Sequence, residues 1–443
     1  MSLGWRVDVS ATDRYGSIQM MASLRGIDVG DAIAAEEAAF NESQSLEAYT
    51  ALVNQEASAT STTSAEPRRP EQTQQEPAGI QIGAYEDCRL AAEGLTSEVY
   101  RSASPLSSSS TSLSSPSTSS RALKVIVSSP PPHDPVREAR VLRSLSGSDR
   151  VVKLVETLRD GAGRLVLVFP FYEAGTLEDL LVARRKGGWK KGSSGGSGFL
   201  TGEEARVVFA DVAAALADVH ARGIIHRDVK PSAILLEPGT RGAVLSDFGT
   251  AWDPASASSG AGTGSGGGSG GAGGGETADG KFLDIGSGPY RAPEVLLANA
   301  AYDCAVDVWA LGVVISAALR GKGTSNSDDQ SKGEGETATT TTMTADGNAM
   351  FSCPPVHEDG NQLGLLLSIV STLGTPTPRT WPEAAGFRCS PFDMFRSFAG
   401  RDWGEMFAGV DEGWSGLVRG MVRYSGRFTA EEVLERINSF PQQ

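Results

Sequence analysis

Two kinds of apolar pattern alternate along this chain. From Cys88 to Tyr100 the positions read as a strand, a turn at Glu93-Gly94 and a second strand. Ala122–Val127 is β-branched and apolar with one lysine inside it, which predicts another strand. Val136, Ala139, Leu142 and Leu145 recur at helical spacing and predict one buried helix face. Val151–Glu156 and Leu165–Phe171 again read as strands. Thr201–Arg222 then predicts a long amphipathic helix, opened by Thr201 with Glu204 three residues on as a capping box. Beyond it the pattern is one of loops and helices. The expected architecture is α+β: a small β-rich lobe followed by a larger helical lobe.

Between these pieces lie stretches with no apolar period. Residues 1–83 are expected to form an acidic, largely disordered region; the first 80 hold five Lys/Arg against twelve Asp/Glu. Within it Asp31–Val53, rich in Ala and Glu, could form a helix, and Glu56–Pro77 reads as a polar tether. Low-complexity insertions are expected near 102–120, 187–198, 254–280 and 321–348. Ser102–Ser120 has twelve Ser in nineteen residues, and Gly260–Gly275 eleven Gly in sixteen. Such sequences bury too little apolar surface to offset their ordering entropy. With them set aside, 84–440 reads as one continuous domain.

The formal net charge of -15 argues against general binding to nucleic acid or to an anionic membrane surface. The one basic run, Arg184, Arg185, Lys186, Lys190 and Lys191, reads as a solvated loop. Cys88, Cys304, Cys353 and Cys389 are far apart with no CxxC, so neither a zinc site nor a disulfide framework is suggested. The N-terminus lacks the apolar stretch of a signal peptide, and Leu311–Leu319 is too short to cross a bilayer. A soluble protein of the nucleus or cytoplasm is the expectation.

Four short strings stand in order behind the strand lysine and the helical glutamate. They are His226-Arg227-Asp228-Val229-Lys230-Pro231, Asp247-Phe248-Gly249, Ala292-Pro293-Glu294 and Asp307-Val308-Trp309-Ala310-Leu311-Gly312. Together they resemble the eukaryotic protein kinase domain over roughly 84–440. The resemblance implies a two-lobed kinase fold, ATP and Mg²⁺ as cofactors, and a protein substrate. Lys124 would hold the α- and β-phosphates, with Glu138 pairing to it. Asp228 would accept or orient the substrate hydroxyl, Lys230 would meet the γ-phosphate in the Ser/Thr form, and Asp247 would ligate Mg²⁺. Ala92, Gly94 and Val99 fall on the phosphate-covering loop and adenine roof. Phe169, Phe171 and Tyr172 match the hinge, and Leu235 the adenine floor. Glu294 would pair with Arg427.

Finer strings, Gly288-Pro289-Tyr290-Arg291 and Ser371–Pro376 with Trp381-Pro382, are similar to the cyclin-dependent branch of the CMGC kinases. Ser246–Trp252 is most similar to fungal kinases that activate cyclin-dependent kinases, so another kinase is a candidate substrate and cell-cycle or transcription control a candidate role. A cyclin partner is compatible with this resemblance but is not indicated by any residue of the sequence. Two departures keep a second function open. Only Gly94 survives of the three loop glycines, and Ala233 stands where the family has a metal-binding Asn. A pseudokinase that binds or scaffolds is therefore the alternative to a serine/threonine kinase. Phe282 falls at the usual phospho-Thr position, which predicts that Arg227 lacks its phosphate partner.

Overall fold

A computed structural model describes residues 35–36, 39–40, 43, 45, 48–53, 79–102, 120–186, 200–257, 276–320, 349–352 and 362–441. The expected tether, eleven residues of the expected Asp31–Val53 helix, Lys190, Lys191 and Cys353 lie outside these residues. So do 103–119, 187–198, 258–275 and 321–348 of the expected insertions. The chain divides into two units, Met1–Pro77 and Ala78–Gln443. In the first, residues 48–53 are helical and Tyr49 Oη donates to Glu36 Oε1 at 2.7 Å. The second unit carries all the candidate site residues.

The first layer of this second unit is an antiparallel six-stranded sheet. The strands are β1 (Ile80–Ile82), β2 (Tyr85–Glu93), β3 (Ser97–Ser102), β4 (Arg121–Ile126), β5 (Glu156–Arg159) and β6 (Leu165–Pro170), in the order β1-β2-β3-β4-β6-β5. Alternation along β4 and β6 decides which side chains go where. Leu123 and Val125 join Val166 and Val168 in a cluster on one face. The other face carries Ala122, Lys124, Leu167 and Phe169, of which Leu167 and Phe169 belong to the main core of the unit. The register sets Val99 opposite Lys124, and Lys124 opposite Leu167. A lysine in the middle of a sheet is thereby aimed away from the small apolar cluster.

Helix α1 (Pro135–Ser144) comes after β4. Asp134 caps it by accepting from the amides of Val136 and Arg137, and Pro135 opens its first turn. Ala139, Leu142 and Leu145 are buried as their spacing predicts, but Val136 is 69% exposed. It stands in the opening turn, so the buried face begins one turn later than predicted. The expected strand at Val151–Glu156 is also corrected. Val151 makes one isolated bridge to Leu245, and pairing begins only at Glu156. Burial of Val151 and Val152 comes from packing, not from a ladder. β6 stops at Pro170, which has no amide proton to continue it, so Phe171 lies beyond the strand.

The helical part contains α2 (Leu177–Lys186), α3 (Gly202–His220), a hairpin of β7 (Ile234–Leu236) and β8 (Ala243–Leu245), α4 (Ala305–Leu319), α5 (Gln362–Leu373), α6 (Glu412–Met421) and α7 (Ala430–Asn438). The Thr201–Glu204 capping box is present. Its Glu204 also takes a two-pronged contact from Arg184 at 2.6 and 2.8 Å. Arg184 therefore belongs to a helix and an ion pair, not to the solvated loop expected of the basic run. The α4 sequence is apolar on every side, and all but its first residue are buried. Gly312 lets it approach its neighbour: a Cβ there would come within 2.7 Å of Val422. Among the described residues Cys88, Cys304 and Cys389 are free thiols. None of the described helices is long and apolar enough to cross a membrane.

Candidate active site

Three segments converge on the inner face of the sheet. From β4, Lys124 Nζ donates to Glu138 of α1 at 2.8 and 3.1 Å and to Asp247 Oδ1 at 2.9 Å. Glu138 is 2% exposed, so it is no solvated helix residue, whereas the Asp247 side chain is 40% exposed and faces the open side of the cluster. Burial pulls Lys124 down, but the Asp247 and Glu138 carboxylates outweigh it and hold the ammonium above its usual value. Lys124 in turn holds Asp247 far below the ordinary carboxylate range, against the effect of burial. The cluster is therefore an anion–cation–anion array with one carboxylate available on its open side.

Asp247 sits on a backbone φ of 62° and Arg227 on 74°, a region that side-chain-bearing residues seldom occupy. Such backbone persists only where its surroundings hold it. Asp307 of α4 supplies the hold for Arg227. Its Oδ2 accepts the His226 amide and its Oδ1 the Arg227 amide, each at 2.8 Å, and His220 Nε2 lies 2.9 Å from Oδ2. Burial would raise the Asp307 carboxyl, yet the His220 contact, reinforced by His226 and the Arg227 amide, keeps it below its usual range. Phe248 packs edge-on against His226 at 4.6 Å. His226 Nδ1 accepts the Asp228 amide at 3.2 Å, so Nε2 is the nitrogen that donates to the Ser246 carbonyl at 2.8 Å.

Asp228, the residue after the strained Arg227, has both oxygens engaged. Lys230 Nζ donates to Oδ2 at 2.6 Å and the Ser287 hydroxyl to Oδ1 at 2.7 Å; Lys230 and Ser287 also meet at 3.1 Å. Burial opposes the charge on Lys230, but Asp228 and Asp247 overcome it and its pKa is raised. Ser287 joins the candidate site through these contacts and was not among the site residues expected from the sequence. Its signal was its place just before Gly288-Pro289-Tyr290.

The apolar candidates are spread around these charges. Val99 lies beside Lys124 on β3, and Phe169, Tyr172 and Leu235 belong to or pack on the main core. Phe171 takes the Arg101 guanidinium over its ring at 4.8 Å. Ala92 pairs with Val99 just after an irregularity in the β2–β3 register, and the Gly94 amide closes the turn by donating to the Ser97 carbonyl. Ala233 is fully buried; its amide donates to the Lys230 carbonyl at 3.0 Å and its carbonyl accepts the Ser246 amide and hydroxyl at 2.8 and 2.9 Å, while its side chain has no polar atom. Glu294 receives a two-pronged contact from Arg427, with Nη2 at 2.8 Å from Oε2.

Arg227 is the clear correction. It was expected to lack a phosphate partner, which left its charge unanswered; the structure answers that charge with a carboxylate, Glu276, which takes both its terminal nitrogens, at 3.0 and 2.8 Å. The expected insertion was drawn through residue 280, yet Glu276 is buried and Thr277 bridges to Gly280.

The chain is similar to the serine/threonine-protein kinase csk1 of Schizosaccharomyces pombe. The two are 26% identical over 318 residues, covering 70% of this chain and 81% of that one. It is similar also to the serine/threonine-protein kinase CAK1 of Saccharomyces cerevisiae, 26% identical over 278 residues, 58% and 68% of the two chains. Cyclin-dependent kinase 20 of Rattus norvegicus is 25% identical over 252 residues, 57% of this chain and 54% of that one. The family model of the protein kinase domain matches residues 114–368. That match spans more than half of the sequence, and the chain belongs to the protein kinase family.

Proposed function

We propose that this chain is a cyclin-dependent-kinase-like serine/threonine kinase that transfers the γ-phosphoryl group of ATP to a hydroxyl of a protein substrate, in cell-cycle or transcription control. The observation that carries the reading is the pairing of two arrays. Lys124 is locked between Glu138 and Asp247, while Asp228 is held between Lys230 and Ser287. Phosphoryl transfer needs little covalent help; it needs cations, metal-binding oxygens and an oriented nucleophile.

Protein kinases use ATP and Mg²⁺. The donors here fit that pair: Mg²⁺ takes hard oxygen from one or two carboxylates plus substrate phosphates, and Asp247 offers a carboxylate on the open side. Mg·ATP would supply the phosphoryl group and the neutralisation of its charge. Lys124 would hold phosphate oxygens, and Glu138 keeps the ammonium aimed. Asp228 would orient the incoming hydroxyl and take its proton, with Lys230 beside it to meet charge on the transferred group. Val99, Phe169, Tyr172 and Leu235 would supply the apolar surroundings of the base.

The second reading, a pseudokinase used as a binding module, is favoured by Ala233. Its methyl group offers neither a metal ligand nor a partner for Asp228. A loss of this kind costs about 10–1000-fold in rate by comparison with other positioning deletions. That slows an enzyme without abolishing it, so the kinase reading stands first. The test is label transfer from γ-labelled ATP to a general acceptor such as casein, with analysis of the labelled residue. Label on Ser or Thr is expected. A thermal shift with Mg·ATP but no transfer would select the pseudokinase. No shift and no transfer would overturn both nucleotide-binding readings.

A further inference from the structure

Glu276 lies far in sequence from most of what it touches. Its side chain is 5% exposed. Oε1 accepts from Arg227 Nη2 at 2.8 Å and from the Phe282 amide at 2.7 Å. Oε2 accepts from Arg227 Nη1 at 3.0 Å and from Arg137 Nη1 at 3.2 Å. Four hydrogen bonds thus reach one carboxylate from three separate parts of the fold. Each of the two arginines is chain neighbour to a residue of the candidate site. Arg137 precedes Glu138, which aims Lys124, and Arg227 precedes Asp228.

The charge balance makes the arrangement one-sided. The Arg227 side chain is fully buried and that of Arg137 nearly so, and Glu276 is the carboxylate that answers both. Lys281 adds a third cation close by, lying over the rings of Trp252 at 4.8 Å and Tyr302 at 5.3 Å. Without Glu276, two buried guanidinium groups would face each other without a counter-charge. Burying a charge in that condition is costly, so α1 and the 226–228 loop would be driven apart. The segment that carries Glu276 is itself pinned. Tyr302 Oη donates to the Phe282 carbonyl at 2.7 Å, and the Lys281 amide to the Ala300 carbonyl at 3.2 Å.

A phosphate added to an activation segment works by the same physics: it brings negative charge and acceptor oxygens to an arginine cluster and orders the segment around it. We propose that Glu276 is a positioning residue that performs this task without modification. Its carboxylate clamps α1, the 226–228 loop and the Phe282 backbone together, so that the two arrays are assembled in the chain as translated. The effect on rate rests on the kinase reading, but the clamp itself has a readout that does not need catalysis.

The experiment uses the full chain as wild type, Glu276→Gln, Glu276→Asp and Glu276→Ala, each before and after phosphatase treatment. Transfer to casein is followed together with backbone hydrogen exchange. Phosphatase should leave the wild-type rate unchanged. Glu276→Gln keeps the shape and removes the charge; kcat should fall about 10–100-fold with KM for casein within a few-fold, as for displaced positioning groups. Glu276→Asp should recover part of that rate. Exchange should rise in 135–144 and 226–230 of Glu276→Gln while 430–438 stays protected. If the wild type transfers no phosphate, the kinase reading fails and exchange alone decides the clamp. A Glu276→Gln protein with wild-type rate and exchange would overturn the proposal. So would a wild-type rate that collapses on phosphatase treatment, which would place the needed charge on Thr277 or Ser287 instead. Should Glu276→Ala not fold, Glu276→Asp and Glu276→Gln still carry the comparison.

Discussion

Asp307 is buried in α4, away from the cluster of candidate residues, yet the geometry makes it their anchor. It accepts the amides of His226 and Arg227 at 2.8 Å each and holds the strained φ of 74° that precedes Asp228. A hydrogen bond to a charged group contributes about 1.5–3 kcal/mol, and a buried donor left without a partner costs a comparable amount. Asp307→Ala strands two buried amides, so the expected loss is about 3–6 kcal/mol, a large part of the margin of a typical domain. Asp307→Asn keeps one acceptor and turns its amide protons towards the other donor, for an expected loss of about 2–4 kcal/mol. His220→Ala removes only the side-chain contact and should cost about 1–2 kcal/mol. Urea unfolding of the full chain measures the order, and label transfer measures how the Asp228 array responds. Asp307→Ala with an unchanged midpoint and an unchanged rate would refute the reasoning, because the left-handed Arg227 would then be held by something else.

The ion pairs give two further expected outcomes. Arg427 and Glu294 are 3% and 10% exposed, so Arg427→Ala should cost about 3–5 kcal/mol, whereas Arg101→Ala, which breaks the exposed pair with Glu173, should cost under about 1 kcal/mol; equal effects in urea unfolding would sink the distinction. Arg184 holds Glu204 down from near 4.5 to about 2, so its contribution is full above pH 4.5 and disappears as pH falls towards 2; the stability gap between wild type and Glu204→Gln should shrink between about pH 6 and about pH 3, and a constant gap would contradict it.

The strands, the main helices and the order of the short strings were readable because each depends on neighbours in sequence. Alternation in 121–126 and 165–170 and the box at Thr201–Glu204 are local signals. Glu276 was not readable. It stands directly after a glycine-rich stretch with no period, and its partner Arg137 lies 139 positions earlier. Arg184 looked like one of a run of solvated cations because its partner Glu204 lies across a low-complexity stretch. Val151 and Val152 had the composition of a strand, but composition records burial, and the two are packed in the core with only an isolated bridge from Val151 to Leu245. Val136 failed for a related reason: helical spacing shows which positions share a face and says nothing of where along the helix the core begins.

The central claim is that this site transfers phosphate through Asp228 despite Ala233. Initial rates of label transfer from γ-labelled ATP, measured for wild type, Ala233→Asn and Asp228→Asn over a series of Mg²⁺ concentrations, test it most directly. The account predicts transfer by the wild type, a higher rate for Ala233→Asn that is clearest at low Mg²⁺, and a loss of about 10²–10⁴-fold for Asp228→Asn. Transfer that survives Asp228→Asn, or a wild type that transfers nothing at any Mg²⁺ concentration, would contradict it.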